Sequence, residues 1–266
     1  MDLELQGKTA IVTGASQGIG HEIARQLHGE GVALVLVSRH DETLSRAARS
    51  IASDRSSRST APVHPIAADL TLRAEVERVA EQAIARLGAV NILVNNAGRA
   101  RTGAFFDLRE EDLQEVWQVK AFGYVRMVRA LAPHMKGRKS GSIINIVGST
   151  GRTPTQDFIV GSMVNAALVN FTRGMARELA PFNVRINSIS PGWTLTERLE
   201  RSLELQAGAQ GVTLEEMIRR EARGIPLNRL VVMQEVARLT LLLASDQLPS
   251  MTGEDIIVDG GVTPSV

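Results

Sequence analysis

The chain has 266 residues, 44% of them hydrophobic and 22% charged, with a formal net charge of +1. That length suits one α/β domain with a sizeable core, and so even a charge balance gives no electrostatic case for nucleic acid or an anionic membrane as partner. Cysteine is absent, which excludes disulfides, thiolate metal sites and a cysteine nucleophile and suits a reducing cytosol.

The polar opening "MDLELQGK" reads as no signal peptide, and the longest apolar run, "VALVLV" (residues 32–37), is too short to span a bilayer. "TAIVTG" (9–14) reads as the first buried strand. It runs into "TGASQGIG" (13–20), where Gly14, Gly18 and Gly20 allow close passage of a phosphate and a helix starting near Ile19 offers free N–H groups and a positive dipole end. "VALVLVS" (32–38) is the second strand, and "SDRSSRSTAP" (53–62) is a solvated loop before the third, "VHPIAADL" (63–70). Apolar residues at helical spacing follow over 75–86 and, after the strand "VNILVNNAG" (90–98), over 112–135. "SIINIVG" (142–148), "VRINSISPG" (184–192) and "GEDIIVDGG" (253–261) complete the strands. Nearly continuous apolar strands alternating with helices predict a doubly wound parallel sheet covered on both faces, with its ligand crevice at the carboxyl ends of the strands. No linker divides residues 1–266, so a single domain is expected. Five scattered His residues have no metal-ligand spacing, and no metal is expected.

With those motifs in this order, the chain resembles the classical short-chain dehydrogenase/reductases over nearly its whole length. "TGASQGIG" is similar to the family's cofactor turn, "AADLT" (67–71) to its adenine-pocket segment and "NNAG" (95–98) to its sheet-centre motif. "ISPGWTLT" (189–196) resembles the nicotinamide-side loop and "TGEDIIVDGG" (252–261) the last strand. The resemblance implies a Rossmann fold of about seven strands and a nicotinamide dinucleotide. It places the cofactor against Gly14, Ser16, Gln17, Gly18, Ile19 and Gly20, then Ser38 and Arg39, Asp69 and Leu70, and Asn96, Ala97 and Gly98. Pro191, Gly192, Thr194 and Thr196 fall on the nicotinamide side. An acidic residue after the second strand would hold the ribose 2′-OH and repel a 2′-phosphate. Ser38 and Arg39 stand there instead, a hydroxyl and a guanidinium fork, which favours NADP over NAD. Gln17 stands where NADP-preferring members often have a basic residue.

The same resemblance carries an anomaly. The family's proton-transfer set is an asparagine, a serine, a tyrosine and a lysine. In this chain those positions hold Lys120, Gly148, Gly161 and Asn165, and the single tyrosine, Tyr124, lies elsewhere. Lysine and asparagine look exchanged, which keeps one cation and one amide near the cofactor ribose. Burial and nearby positive charge would draw the Lys120 pKa toward a range useful for acid–base work. Ser149 is a candidate hydrogen-bond donor or, alternatively, a turn cap. Tyr124 is a core or interface residue, or else an acid on the same helical face as Lys120. Asp157 either approaches the substrate or is merely solvated, and Trp193 either covers the ligands or packs. Residues around 194–228 read as two amphipathic helices forming a substrate lid. The expected activity is oxidoreduction of a small carbonyl or alcohol substrate with Lys120, Asn165 and Ser149 at a rebuilt site. The rivals are a non-catalytic NADP(H)-binding or regulatory protein and a non-redox lyase. Family resemblance further implies a homotetramer, with a dimer next, and the absence of cysteine leads to the expectation of a cytoplasmic setting.

Overall fold

The computed structural model describes residues 2–54, 59–99 and 101–264. Six strands lead the chain order: β1 (Thr9–Thr13), β2 (Ala33–Ser38), β3 (Val63–Ala67), β4 (Ile92–Asn95), β5 (Gly141–Ile146) and β6 (Val184–Pro191). Two short strands, β7 (Thr194–Leu195) and β8 (Val231–Val232), and then β9 (Asp255–Val258) complete the set. Between them run α1 (Gly18–Gly29), α2 (Asp41–Ala52), α3 (Arg73–Leu87), α4 (Glu110–Val116), α5 (Gly123–Arg138) and α6 (Ile159–Leu179). The last three helices are α7 (Glu197–Gln210), α8 (Leu214–Ala222) and α9 (Met233–Ala244).

Seven strands pair in the order β3-β2-β1-β4-β5-β6-β9, and every pair is parallel. This is a Rossmann sheet, and its apolar runs explain it. Successive side chains of a strand point to opposite faces, so each strand must be apolar at every position to serve two cores. In β1, Ala10 and Val12 join one apolar cluster and Ile11 the other; in β2, Leu34 and Leu36 face one way and Val35 and Val37 the other. The first cluster is covered by Ile23 and Leu27 of α1, Leu44 and Ile51 of α2, and Val236 and Leu241 of α9. The second is covered by Val76 and Val79 of α3, Met127 and Leu131 of α5, and Leu179 of α6. Each fully buried Val, Leu or Ile contributes about 1.5–3 kcal/mol, so the two faces hold the strand ends in fixed positions.

The strands are shorter than the sequence predicts at their carboxyl ends, because residues 96–98, 147–148 and 259–261 leave the sheet. The helix predicted over 112–135 is not continuous. It is broken by one π-helical segment, Trp117–Phe122, which contains Lys120; such bulges occur most often at functional sites. The segment expected to form a lid folds as two helices, α7 and α8. Thr196 caps α7 by accepting from the Leu199 N–H at 3.3 Å, Thr213 caps α8 by accepting from the Glu216 N–H at 3.1 Å, and Gly211 makes the left-handed turn between them at φ +66°. The pairing of β7 with β8 was not foreseen, since two-residue strands carry no periodicity. Residues 55–58 of the loop predicted over 53–62 lie outside the described residues. Among the described residues, no helix is long and apolar enough to cross a membrane.

Candidate active site

The strand order reverses between β1 and β4, and at such a switch point the loops leaving the two strands part to leave a crevice. A cavity of about 300 Å³ opens there, lined by Gly14, Ser16, Gln17, Gly18 and Ile19 after β1, Ser38 and Arg39 at the end of β2, and Asp69 and Leu70 after β3. Asn96, Ala97 and Gly98 after β4 and Thr196 from the lid close it. Gly20 contributes by close approach. A β-carbon there would run into the Gly14 carbonyl and the Asn96 side chain, so only glycine lets α1 begin beneath the turn. Asn96 ties the turn to β4: its Nδ2 donates to the carbonyls of Thr13 and Gly14 at 3.2 Å, and its own N–H donates to Thr13 Oγ1 at 2.9 Å.

Pro191, Gly192 and Thr194 do not line this cavity. They form the turn at the end of β6, where Gly192 N–H donates to Val258 O at 2.9 Å and Thr194 Oγ1 donates to Gly192 O at 2.9 Å. Sequence reasoning missed His40, Arg99, Val119, Glu197 and Arg198, all of which do line it.

The lining suits a phosphorylated dinucleotide on two observations. Ser38 Oγ is buried with no hydrogen-bond partner among the described residues, a state that costs free energy unless a ligand satisfies it. Arg39 beside it is exposed, and among the described residues no ion pair engages its guanidinium. A hydroxyl and an uncommitted guanidinium at the end of β2 form a donor set for a phosphate.

At the inner end of the crevice, behind Gly98, lies Lys120. A β-carbon on Gly98 would meet the Lys120 stem at 3.4 Å. The ammonium turns inward, donating to Val147 O and, at 2.8 Å, to Asn165 Oδ1. Burial lowers its pKa from the ordinary lysine value to about 8. Asn165, 3% exposed on α6, has its amide orientation set by this bond, because an ammonium only donates. Its Nδ2 then donates to Thr150 Oγ1 at 2.9 Å. Gly148 makes room for the arrangement. At φ +144° it holds a backbone conformation that suits glycine, and a β-carbon would come within 2.6 Å of Asn165 Nδ2. Lys120, Asn165 and Thr150 therefore form one continuous hydrogen-bonded run. Thr150 was not foreseen; its place in "GSTG", two residues after Gly148, is the signal that would have found it.

Ser149 is 7% exposed and not joined to this run. Its carbonyl accepts the N–H groups of Arg152 and Thr153 at 3.0 and 3.2 Å in a tight turn. Tyr124 is a core residue, fully buried, with its hydroxyl donating to Ile146 O at 2.8 Å and burial pushing its pKa up. Asp157 is an exposed loop residue whose carbonyl accepts the Gly103 N–H at 2.9 Å. Trp193 is 53% exposed and outside the cavity lining. The position of Gly161 is covered by the ring of Phe158: a β-carbon on Gly161 would land on that ring.

Fold, crevice and motifs together define a nucleotide-binding member of the Rossmann class. A family model described as enoyl-(acyl carrier protein) reductase matches residues 14–263, and the chain belongs to that short-chain dehydrogenase/reductase family. It is 30% identical to the NADPH-dependent reductase BacG of Bacillus subtilis, over 97% of this chain and 99% of the relative. It is 35% identical to oxidoreductase UcpA of Salmonella typhimurium, over 98% and 96%. The structure of L-sorbose reductase from Gluconobacter frateurii, solved with NADPH and L-sorbose, superposes with a TM-score of 0.94 at 30% identity over the full length of both chains.

Proposed function

We propose that this chain is an NADP(H)-dependent oxidoreductase that interconverts a carbonyl and an alcohol on a small molecule through a rebuilt proton-transfer site. The carrying observation is the run Lys120–Asn165–Thr150, which does not itself line the cavity but begins directly behind Gly98, a lining residue of the crevice that also presents Ser38 and Arg39. Relatives described as NADPH-dependent, or solved with NADPH, support the cofactor. When bound, that cofactor supplies or accepts the hydride. The glycine turn and the first amides of α1 seat its pyrophosphate, and Ser38 and Arg39 hold its 2′-phosphate.

The chain's own residues handle the proton. With a pKa of about 8, Lys120 Nζ stands near neutrality and is suited to acid–base exchange. Asn165 holds the ammonium in place through Oδ1. Because Thr150 Oγ1 accepts from Asn165, its own hydroxyl proton is available to donate to a substrate oxygen, which makes Thr150 the orienting donor in this proposal. The test is a carbonyl panel assayed by NADPH consumption on the native chain and on Lys120→Met, which keeps the stem and removes the charge. Turnover falls by about a hundredfold or more if Lys120 works in the proton path; equal turnover sinks the assignment.

One observation favours a second reading, a non-catalytic NADP(H)-binding protein: the ring of Phe158 lies over Gly161, where the family resemblance puts the tyrosine acid. A native chain that binds NADPH and reduces nothing in the panel supports that reading instead. Under either, the lack of a dividing linker supports a single domain over residues 1–266, resemblance supports a lid around 194–228 and a homotetramer with a dimer next, and the cysteine-free composition suits a cytoplasmic setting.

A further inference from the structure

The lid enters the cofactor crevice through one acidic residue. Glu197 opens α7, and its position is fixed from both sides. Thr194 and Leu195 just before it pair as a strand with Val231 and Val232, the Val231 N–H donating to Trp193 O at 2.9 Å, and Thr196 caps the helix through Leu199. This lays the lid on the glycine turn. A β-carbon on Gly18 would meet the Thr196 methyl at 3.7 Å and a Glu197 carboxylate oxygen at 4.0 Å. Gly18 is the first residue of α1, a helix of 12 residues, where unpaired N–H groups and the dipole favour an anion. His21, one turn into the same helix, senses the carboxylate. Burial pushes its pKa down, and Glu197 is the largest influence pulling it back. Among the described residues no ion pair neutralises Glu197, although Arg198 beside it also lines the crevice.

We propose that the Glu197 carboxylate is a placeholder anion, seated where the cofactor's pyrophosphate belongs, and that its displacement sets the affinity for the dinucleotide. This rests on the NADP(H) reading above. A negative side chain beside Gly18 and a doubly charged pyrophosphate repel one another at the start of α1, so the exposed Glu197 carboxylate must turn away as the cofactor enters. Glu197→Gln keeps the shape and removes the competing charge. Titration calorimetry on the native chain and on Glu197→Gln uses two probes: NADPH, and 2′-AMP, which carries the adenosine and the 2′-phosphate but no pyrophosphate. The dissociation constant for NADPH is expected to fall at least about fivefold, the low end of coupling between two sites, with 2′-AMP unchanged. Unchanged or weakened NADPH binding overturns the proposal. Equal tightening of both probes does so too, because that is a general field effect. A native chain that binds neither probe refutes the NADP(H) reading itself, and the inference with it.

Discussion

Gly161→Ala isolates the packing that closes the site over α6. The new methyl would be driven into the ring of Phe158, which occupies the space beside Gly161. Overpacking of this kind costs about 1–3 kcal/mol. Against it, alanine in a helix gains roughly 0.5–1 kcal/mol over glycine, and less in a first turn such as this. The clash therefore wins by about 1 kcal/mol, which in a domain of this size lowers the melting midpoint by about 2–4 °C. Phe158→Ala removes the ring, and in that background Gly161→Ala should raise the midpoint, because only the propensity gain is left. The assay is a double-mutant cycle followed by thermal circular dichroism, and its diagnostic is the reversal of sign. A rise of equal size in both backgrounds would show that the ring does not hold that space and refute the reasoning. The same geometry bears on any attempt to restore family-like chemistry. Gly161→Tyr with Asn165→Lys should fail to recover activity while Phe158 is in place, and Gly148 with Lys120 would still differ from the family's set.

Arg39→Ala should weaken NADPH binding by about 1–3 kcal/mol and leave NADH nearly unaffected, since only the former carries the 2′-phosphate; calorimetry that returned equal losses would remove Arg39 from the role. Lys120 also makes a statement about stability. Its pKa is about 8 in the folded chain against 10.5 for an ordinary lysine, so between those values the unfolded chain binds the extra proton and stability rises with pH. The contribution, on the order of 3 kcal/mol, is complete above the unfolded value and lost as pH falls to about 8. The melting midpoint of the native chain minus that of Lys120→Met should climb across this window, and a flat difference contradicts the burial of the ammonium.

The parts of this molecule that were legible in its sequence are those set by local rules. A strand that serves two cores must be apolar throughout, so β1, β2 and β4 announce themselves. The glycine turn is equally local, because Gly14, Gly18 and Gly20 meet backbone and lid within the crevice. Ser38 and Arg39 are fixed by being the last residue of β2 and the first beyond it. The exchange of Lys120 and Asn165 was visible only as two substitutions that kept one cation and one amide. Their direct contact at 2.8 Å depends on how α6 packs against the π-helical segment, and no window of sequence carries that. Phe158 shares this difficulty. It stands about one helical turn before Gly161, but a phenylalanine at a helix start looks like any apolar residue until the glycine beside it is seen to be empty.

The difference between Ser149 and Thr150 has a more specific cause. Sequence reasoning looked for a hydroxyl as near as possible to Gly148 and found Ser149. The chain, however, forms a 3₁₀ turn over Ser149–Gly151, in which each residue rotates the side-chain direction by roughly 120°. One position along the turn is thus enough to bring a hydroxyl within reach of the Asn165 amide. Gly148, at φ +144°, sets where that turn begins, and leaving out its β-carbon is what lets the Asn165 amide reach past it to Thr150. Gly148 thus appears in the sequence as a loss, whereas in the fold it is the space through which the hydrogen-bonded run passes.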